Sequence, residues 1–258
     1  MPTLTNWINR QINEKRIKDN EASRANHKPS GRLSAGSLFR PVRSQLMKTL
    51  GVPMLPFDAY TLGVFDIGND VEAKFVQSLH DAGVIVPTKD LKKYNLEWDK
   101  EKKQAFGYYK ETIGLVDAVV DTTDFDDLPN MGVMPFEVKS CTSYKYKHIK
   151  KMKGDVDWHY KLQACQNALI MGSKYFAVVM ISKEHPDPHV SIFRTREIQR
   201  DVDLIITKYD KALANWKKDQ TLPKYEADHR VKWVSKYSWF EKEYAENDSL
   251  VIKTIEGK

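Results

Sequence analysis

The chain has 258 residues, of which 41% are hydrophobic and 29% charged, and its 41 Lys and Arg against 35 Asp and Glu give a formal net charge of +6. This composition is typical of a folded globular protein and excludes a disordered or fibrous chain. Two cysteines are too few for a disulfide framework, a zinc finger or a four-cysteine iron–sulfur cluster. No apolar run reaches the roughly 20 residues of a membrane span, and residues 1–20 lack the apolar core of a signal peptide. We therefore expect a cytoplasmic protein with no membrane partner.

The basic residues are concentrated in two places. Residues 1–48 hold ten Lys or Arg and three Asp or Glu, so the rest of the chain is close to neutral. Residues 143–161 hold six Lys and two Asp. Two basic patches on a near-neutral body indicate a polyanionic partner or, equally, an ordinary solvated lysine-rich surface.

Helical periodicity dominates the first part of the chain. Apolar residues recur at helical spacing over 5–20, 37–47 and 68–82, and each of these segments predicts a helix. The stretch 21–37 contains proline and glycine and predicts a loop or tether. The charged, irregular stretch 91–104 predicts a surface hairpin.

The pattern then changes to short apolar runs typical of strands. Strands are predicted over 113–120 and 133–138, joined across an acidic turn as a hairpin. A basic loop, a helix, two strands and a long helix follow, over 158–171, 175–181, 190–193 and 196–216. This order of elements predicts an α/β fold with a central mixed β-sheet flanked by helices.

We divide the chain into three parts. A basic N-terminal helix or arm covers residues 1–33, an α/β domain covers 34–217, and an aromatic-rich C-terminal extension covers 218–258. The extension would be either a cap packed on the core or a surface on which bases stack, and we favour the cap. Its aromatic residues include Tyr225, Trp233, Tyr237, Trp239, Phe240 and Tyr244.

Two strands carry carboxylates in apolar surroundings. Asp117 lies within the run Gly114–Val120, and Glu137-Val138-Lys139 follows on the next strand. A carboxylate inside an apolar strand is costly unless it is paired or binds a cation. If the strands pair, Asp117 and Glu137 lie close together, and a divalent metal such as Mg²⁺ or Mn²⁺ would offset their like charges. The alternative is an ordinary surface ion pair of Glu137 and Lys139 on an edge strand.

This pattern resembles the PD-(D/E)XK nuclease superfamily and, within it, the RecB-like and CRISPR-associated exonuclease branch that phages also carry. The segment ending in Asp117 looks like the metal-binding aspartate motif, and Glu137-Val138-Lys139 looks like the Glu-x-Lys motif. Gln163 stands in a segment similar to the glutamine motif, and Glu72 stands where a helix carries the first active-site side chain. The resemblance implies a restriction-endonuclease-like core.

The resemblance also implies roles for these residues. Asp117, Glu137 and the Val138 carbonyl would hold a catalytic Mg²⁺ (or Mn²⁺), and Glu72 would bind or orient a metal. Lys139 would orient or deprotonate the attacking water. As a further catalytic residue, Gln163 would fix Lys139 or the scissile phosphate.

The implied activity is that of a metal-dependent deoxyribonuclease, more specifically an exonuclease that processes DNA ends. The expected setting is phage or prokaryotic DNA recombination, replication or repair, with DNA as substrate and with a single-strand-binding or recombination protein as a candidate partner. An endonuclease of the same fold and a non-catalytic nucleic-acid-binding protein are the alternatives. No sequence feature indicates an oligomeric state.

The chain departs from the branch at three points. Glu72 stands where the branch commonly has His, and Asn167 stands where it often has Tyr after the glutamine. Phe39 and the cysteine-free stretch 224–244 stand where cluster-bearing relatives place cysteines. We therefore expect no iron–sulfur cluster.

Basic and aromatic residues around the motifs are candidates for binding DNA. The aromatic rings could stack on bases or hold a DNA end, and the arginines could clamp phosphates, although all of them could also be ordinary surface residues. The candidates are Arg40, Arg43, Tyr144, Lys145, Lys147, Lys150, Lys151, Trp158 and Lys161.

Overall fold

The structure is a computed structural model of the chain. It describes residues 4–26, 31–124, 131–152, 154–185, 187–226, 230–231, 234, 238–240 and 242–257. Residues 125–130 of the predicted acidic turn lie outside these ranges, as do Trp233 and Tyr237 of the aromatic extension.

The described residues form eight α-helices, none of which is both long and apolar enough to span a membrane. The fourth forms where a basic loop was expected, because the side chain of Thr142 caps its first turn and its lysines lie near the negative end of the helix dipole. The predicted bounds of the fifth are confirmed. The helices are α1 (Leu4–Asn26), α2 (Val42–Thr49), α3 (Ala59–Asp81), α4 (Ser143–Lys151), α5 (Trp158–Met171), α6 (Thr195–Asp219), α7 (Lys242–Glu246) and α8 (Asp248–Glu256).

Two helices begin elsewhere than predicted. α3 starts at Ala59, well before the predicted start at Gly68, because the Asp58 side chain accepts a hydrogen bond of 2.6 Å from the N–H of Thr61. α2 starts later than predicted, directly after Pro41. Proline disfavours the helical conformation in the residue before it, which moves the helix start downstream.

Eight strands form in the described residues, and they make two sheets where one central sheet was expected. The sheet orders are β1-β4-β3-β2 and β5-β6-β7-β8, and each combines one parallel pair with antiparallel pairs. The predicted hairpin is confirmed as β5 and β6. The strands are β1 (Leu33–Ser34), β2 (Leu96–Asp99), β3 (Gln104–Tyr109), β4 (Thr112–Val116), β5 (Ala118–Asp121), β6 (Val133–Cys141), β7 (Tyr175–Ser182) and β8 (His189–Arg194).

The predicted single strand over 113–120 is broken at Asp117. Val116 pairs with Ala105 of β3 in the first sheet, whereas Ala118 pairs with Phe136 of β6 in the second. The chain therefore changes partner strand at one residue, and Asp117 lies at the junction of the two sheets. An apolar run does not reveal such a change, because apolar residues continue on both sides of Asp117.

Helices cover both faces of the second sheet. In β7, Phe176, Val178 and Met180 belong to a core cluster shared with α2, α5 and α6, whereas Ala177 and Val179 face the cluster on which α3 packs. Each fully buried side chain of this kind stabilises the fold by roughly 1.5–3 kcal/mol relative to an exposed one. The result is an α/β fold in which helices flank mixed sheets.

The two ends of the chain attach to this body in different ways. α1 is linked to α3 by an ion pair between Arg16 and Asp66 at 3.2 Å. In the C-terminal extension, Phe240 is part of the main core cluster, and the carbonyl of Trp239 accepts a hydrogen bond of 2.7 Å from the N–H of Leu55. The described part of the extension is therefore continuous with the core.

Gly114 allows α5 to approach β4 closely. A Cβ at this position would meet the side-chain amide of Asn167 and lie 2.6 Å from Cδ1 of Ile170. We expect Gly114→Ala to lower the free energy of unfolding by about 1–3 kcal/mol through overpacking, measured by urea denaturation. Gly36→Ala is the matched control, because the nearest atom to its new Cβ would be 3.8 Å away. Equal stability of the two variants would contradict this close packing.

Candidate active site

Two carboxylates from other elements contact the edge of β6 beyond the segment that pairs with β5. β5 pairs only with residues 133–136 of β6, which leaves the N–H groups of Val138 and Ser140 without a strand partner on that edge. Asp117 Oδ2 accepts a hydrogen bond of 2.9 Å from Val138, and Glu72 Oε1 accepts one of 2.8 Å from Ser140. These side chains satisfy backbone donors that would otherwise be unpaired. The break after β4 and the face of α3 therefore bring Asp117 and Glu72 to the same edge.

The ammonium group of Lys139 faces three oxygen atoms. Its Nζ donates a hydrogen bond of 3.0 Å to the Val138 carbonyl, lies 3.6 Å from Asp117 Oδ2, and forms an ion pair with Glu137 Oε1. These are the three groups that the resemblance implies for binding a metal. In the structure, a cationic nitrogen stands among them, which shows that their oxygens can converge on one positive charge.

Glu137 is completely buried, with 0% of its surface exposed, so the alternative of a surface ion pair is wrong. Its Oε2 lies 3.5 Å from Nδ2 of Asn167, and the same amide donates a hydrogen bond of 2.9 Å to the Leu115 carbonyl. Burial raises the pKa of Glu137 to about 8 against the opposing charge of Lys139. A cation bound beside the carboxylate would favour its ionised form.

The charges around Lys139 suit a small cation. Burial alone would lower the pKa of Lys139, but the carboxylates of Glu137, Asp117 and Glu72 outweigh burial and raise it above its ordinary value. In the described part of the chain, no three His, Cys, Asp or Glu side chains are grouped closely enough to hold a metal by themselves. Mg²⁺ commonly keeps several waters and takes only one or two carboxylates. Asp117, Glu137 and the Val138 carbonyl therefore fit a hard divalent cation.

Gln163 is half-buried on α5 and faces the segment between β1 and α2. Its Oε1 lies 3.8 Å from the place that a Cβ on Gly36 would occupy. Among the residues that the structure describes, no hydrogen bond joins Gln163 to Lys139 or Glu137. Its expected partnership with Lys139 is therefore not formed in this structure.

α4 presents several predicted DNA-binding residues to solvent. Tyr144 is 83% exposed, and Lys147, Lys150 and Lys151 are exposed as well. α4 begins directly after β6, the strand that carries Lys139. These side chains are therefore accessible near the end of the strand that holds the candidate site, and their contact with DNA remains a prediction.

Arg43 does not match its predicted role. It is only 3% exposed, its Nε donates to the Tyr244 carbonyl at 2.9 Å, and its Nη1 donates to the Pro223 carbonyl at 3.2 Å and to Asp248 at 2.6 Å. These partners belong to the C-terminal extension, which Arg43 fixes to α2. The prediction that Arg43 binds phosphate is wrong, because the guanidinium is enclosed by the protein itself.

Trp158 and Lys161 are also engaged within the protein. Trp158 packs against the main core cluster, and the guanidinium of Arg230 lies 4.3 Å from the centre of its ring. Lys161 forms an ion pair with Asp155 and lies 4.8 Å from the ring centre of Phe193. Both side chains are half-buried, unlike the exposed lysines of α4, and their contact with DNA remains a prediction.

Sequence reasoning missed the contact between Asn167 and Glu137. Asn167 follows Gln163 by four residues on α5, and this spacing places two side chains on neighbouring positions of one helix face. The close approach also depends on Gly114, which has no side chain to block the amide. A polar residue one turn after a candidate site residue, opposite a glycine on a strand, is the signal that could have identified Asn167.

His159 lies buried on α5, one turn before Gln163, with its ring centre 5.1 Å from that of Phe39 and 3.9 Å from that of Tyr160. Burial lowers the pKa of His159 from 6.5 to about 4. At a pH between about 4 and 6.5, His159 is protonated in the unfolded chain but neutral in the folded protein. The free energy of unfolding therefore falls as the pH falls through this range. We expect the titration of His159 to lower the free energy of unfolding by about 3 kcal/mol between about pH 6.5 and pH 4.

Urea denaturation across this pH range tests the prediction with the His159→Phe variant, which keeps a ring but removes the titrating group. The free energy of unfolding of this variant should depend less on pH than that of the unmodified protein. His148→Gln is the control, because His148 is exposed. An unchanged pH dependence in His159→Phe would show that His159 titrates alike in the folded and unfolded states.

No protein-family model matches the sequence, and no curated protein matches it. Among solved structures, the chain is similar to an alkaline exonuclease (LHK-Exo) from Laribacter hongkongensis at 10% identity and a TM-score of 0.44, over 80% of this chain and 96% of that chain. The structure of LHK-Exo in complex with dAMP is similar at 12% identity and a TM-score of 0.44, over 78% of this chain and 96% of that chain. A protein designated SSO0001 is similar at 15% identity and a TM-score of 0.42, over 76% of this chain and 86% of that chain. Similarity at this level carries no argument for activity, so any function must be derived from the side chains.

Proposed function

We propose that the protein is a Mg²⁺-dependent deoxyribonuclease. The observation that carries the proposal is the convergence of oxygens from Asp117, Glu137 and Val138 on the ammonium of Lys139, with Glu72 on the same strand edge. A divalent cation held by these oxygens would stabilise the developing charge on a phosphodiester and activate water. Lys139, on the same strand, would orient that water or stabilise negative charge on the phosphate.

The surroundings support a polyanionic substrate. The exposed lysines of α4 lie after the strand that carries Lys139, and they would attract the phosphate backbone without reading its sequence. A protein that only binds nucleic acid has no need of a buried acidic site, because carboxylates repel phosphate. The combination of a buried carboxylate with basic surroundings therefore favours hydrolysis over binding alone.

More specifically, we propose an exonuclease that acts on DNA ends and leaves a 5′-phosphate and a 3′-hydroxyl. This finer assignment follows from the resemblance of the motifs. DNA recombination, replication or repair in a phage or prokaryotic cytoplasm is the proposed setting, and a single-strand-binding or recombination protein is the proposed partner.

The test compares end-labelled linear DNA with covalently closed circular DNA, in Mg²⁺, in Mn²⁺ and in EDTA. We expect the linear substrate to be degraded with either metal, the circle to remain intact, and EDTA to stop the reaction. Cutting of the circle would replace the exonuclease with an endonuclease of the same fold. Binding without cleavage in every metal would overturn the enzymatic proposal.

A further inference from the structure

A row of aromatic rings and cations leads away from the candidate active site. Beginning at Tyr160 on α5, ring centres are 3.9 Å apart between Tyr160 and His159 and 5.1 Å apart between His159 and Phe39. The row continues through cations that lie over aromatic rings. We define this cation–aromatic row as Tyr160, His159, Phe39, Arg40, Trp239 and Lys48.

Two cations meet at one indole ring at the far end of the row. The guanidinium of Arg40 lies 4.5 Å from the centre of the Trp239 ring, and the Nζ of Lys48 lies 4.7 Å from it. Burial lowers the pKa of Lys48, and the neighbouring charge of Arg40 lowers it further. The described polar partner of Lys48 is the neutral hydroxyl of Ser37 at 3.4 Å. Among the described residues, no carboxylate is paired with Lys48, and a bound anion would relieve the repulsion between Lys48 and Arg40.

The other end of the row lies on α5, the helix that also carries Gln163. The Nζ of Lys145 lies 4.9 Å from the ring centre of Tyr160 and pairs with Asp157 at 2.5 Å. Burial raises the pKa of Tyr160, while the charges of Lys145 and Lys139 act in the opposite direction. The row therefore runs from α5, which packs against β6, to Trp239 of the C-terminal extension.

We propose that the cation–aromatic row binds the substrate as a single DNA strand, with bases stacked on Trp239 and Tyr160 and phosphates held by Lys48 and Arg40. Accessible aromatic rings beside cations are the features with which proteins bind single strands, since every base has a face that can stack, and the buried rings of His159 and Phe39 lie between the accessible ones. The bases of a duplex are stacked on one another, so a duplex would contact the cations through its phosphates but would not stack on the rings. These four side chains are half-buried and retain exposed surface.

This inference rests on the proposed function for the direction of the strand toward Lys139, but binding can be measured without cleavage. Fluorescence anisotropy in EDTA would follow a labelled oligothymidylate of about 16 nucleotides and a duplex of equal length. We expect Trp239→Ala to weaken binding of the single strand about 10-fold, with the duplex unchanged. Lys48→Met should reduce the slope of log affinity against log salt for the single strand by about 0.7.

Two variants outside the row are matched controls. Trp98→Ala removes an exposed indole from β2, and Lys208→Met removes an exposed lysine from α6; neither should change binding. Trp239→Phe keeps a ring and should bind nearly as the unmodified protein does, which separates lost stacking from lost folding. Thermal unfolding followed by circular dichroism checks that the variants are folded.

Three results would overturn the inference. The first is unchanged single-strand affinity in Trp239→Ala together with an unchanged salt slope in Lys48→Met. The second is an equal loss of single-strand and duplex affinity, and the third is tighter binding of the matching oligouridylate, which would assign the row to RNA. Failure of the nuclease proposal looks different, because the unmodified protein would then bind the single strand through the row and cleave no DNA in any metal.

Discussion

The Glu137→Gln variant should lose cleavage of linear DNA by about 100- to 1,000-fold. Gln has nearly the same shape as Glu but carries no charge, so the cation site would keep Asp117 and the Val138 carbonyl and lose its buried negative partner. The variant should also lose the rise in melting temperature that Mn²⁺ gives the unmodified protein, because binding to the folded state is what stabilises it. Both effects are measurable on one preparation, by degradation of end-labelled DNA and by thermal unfolding with and without Mn²⁺.

Glu97→Gln is the matched control, since Glu97 is exposed on β2 in the other sheet. It makes the same chemical change without touching the site, and it should retain full activity and the full response to Mn²⁺. If Glu137→Gln cleaves DNA as fast as this control does, the buried carboxylate has no part in catalysis. The role of Glu137 would then be confined to holding Lys139 in place.

The elements that the sequence predicted well are those determined by local pattern. The bounds of α5 follow from its helical periodicity and from Gly172, whose φ of 68° suits a helix end. The pairing of β5 with β6 follows from two apolar runs separated by a turn. The proximity of Asp117 to the Glu137 strand follows from that pairing, so the centre of the candidate site was accessible from the sequence.

The features that the sequence did not predict depend on partners distant in the chain. The break at Asp117 arises because β4 and β5 pair with different strands, and a continuous apolar run gives no sign of it. The sequence pattern predicts that Arg43 is a surface residue of a helix. In the structure, Asp248 and Tyr244, about 200 residues further along the chain, enclose it. A charge pattern shows which residues are basic, and only tertiary contacts show which of them remain available to a ligand.

Replacing Lys139 with Met should slow DNA cleavage by about 100- to 10,000-fold, because the group that would orient water or stabilise the phosphate is removed. Above about pH 8, where Glu137 is ionised in the unmodified protein, the same change should destabilise the metal-free protein by about 3–5 kcal/mol, because the buried carboxylate loses its partner charge. In the unmodified protein the ammonium occupies the space among the three oxygens that a cation would use. Mg²⁺ or Mn²⁺ should therefore raise the melting temperature of Lys139→Met more than that of the unmodified protein.

This double outcome separates a catalytic lysine from a purely structural one. A structural lysine would be replaced by the metal, so Lys139→Met would regain both stability and cleavage when Mn²⁺ is added. A lysine with a chemical role would leave a variant that the metal restabilises but that still cleaves slowly. Lys208→Met, which removes an exposed lysine of α6, should change neither quantity. If divalent ions stabilise Lys139→Met no more than they stabilise this control, the oxygens of Asp117, Glu137 and Val138 do not form a cation site, and hydrolysis at this edge of β6 would lose its physical basis.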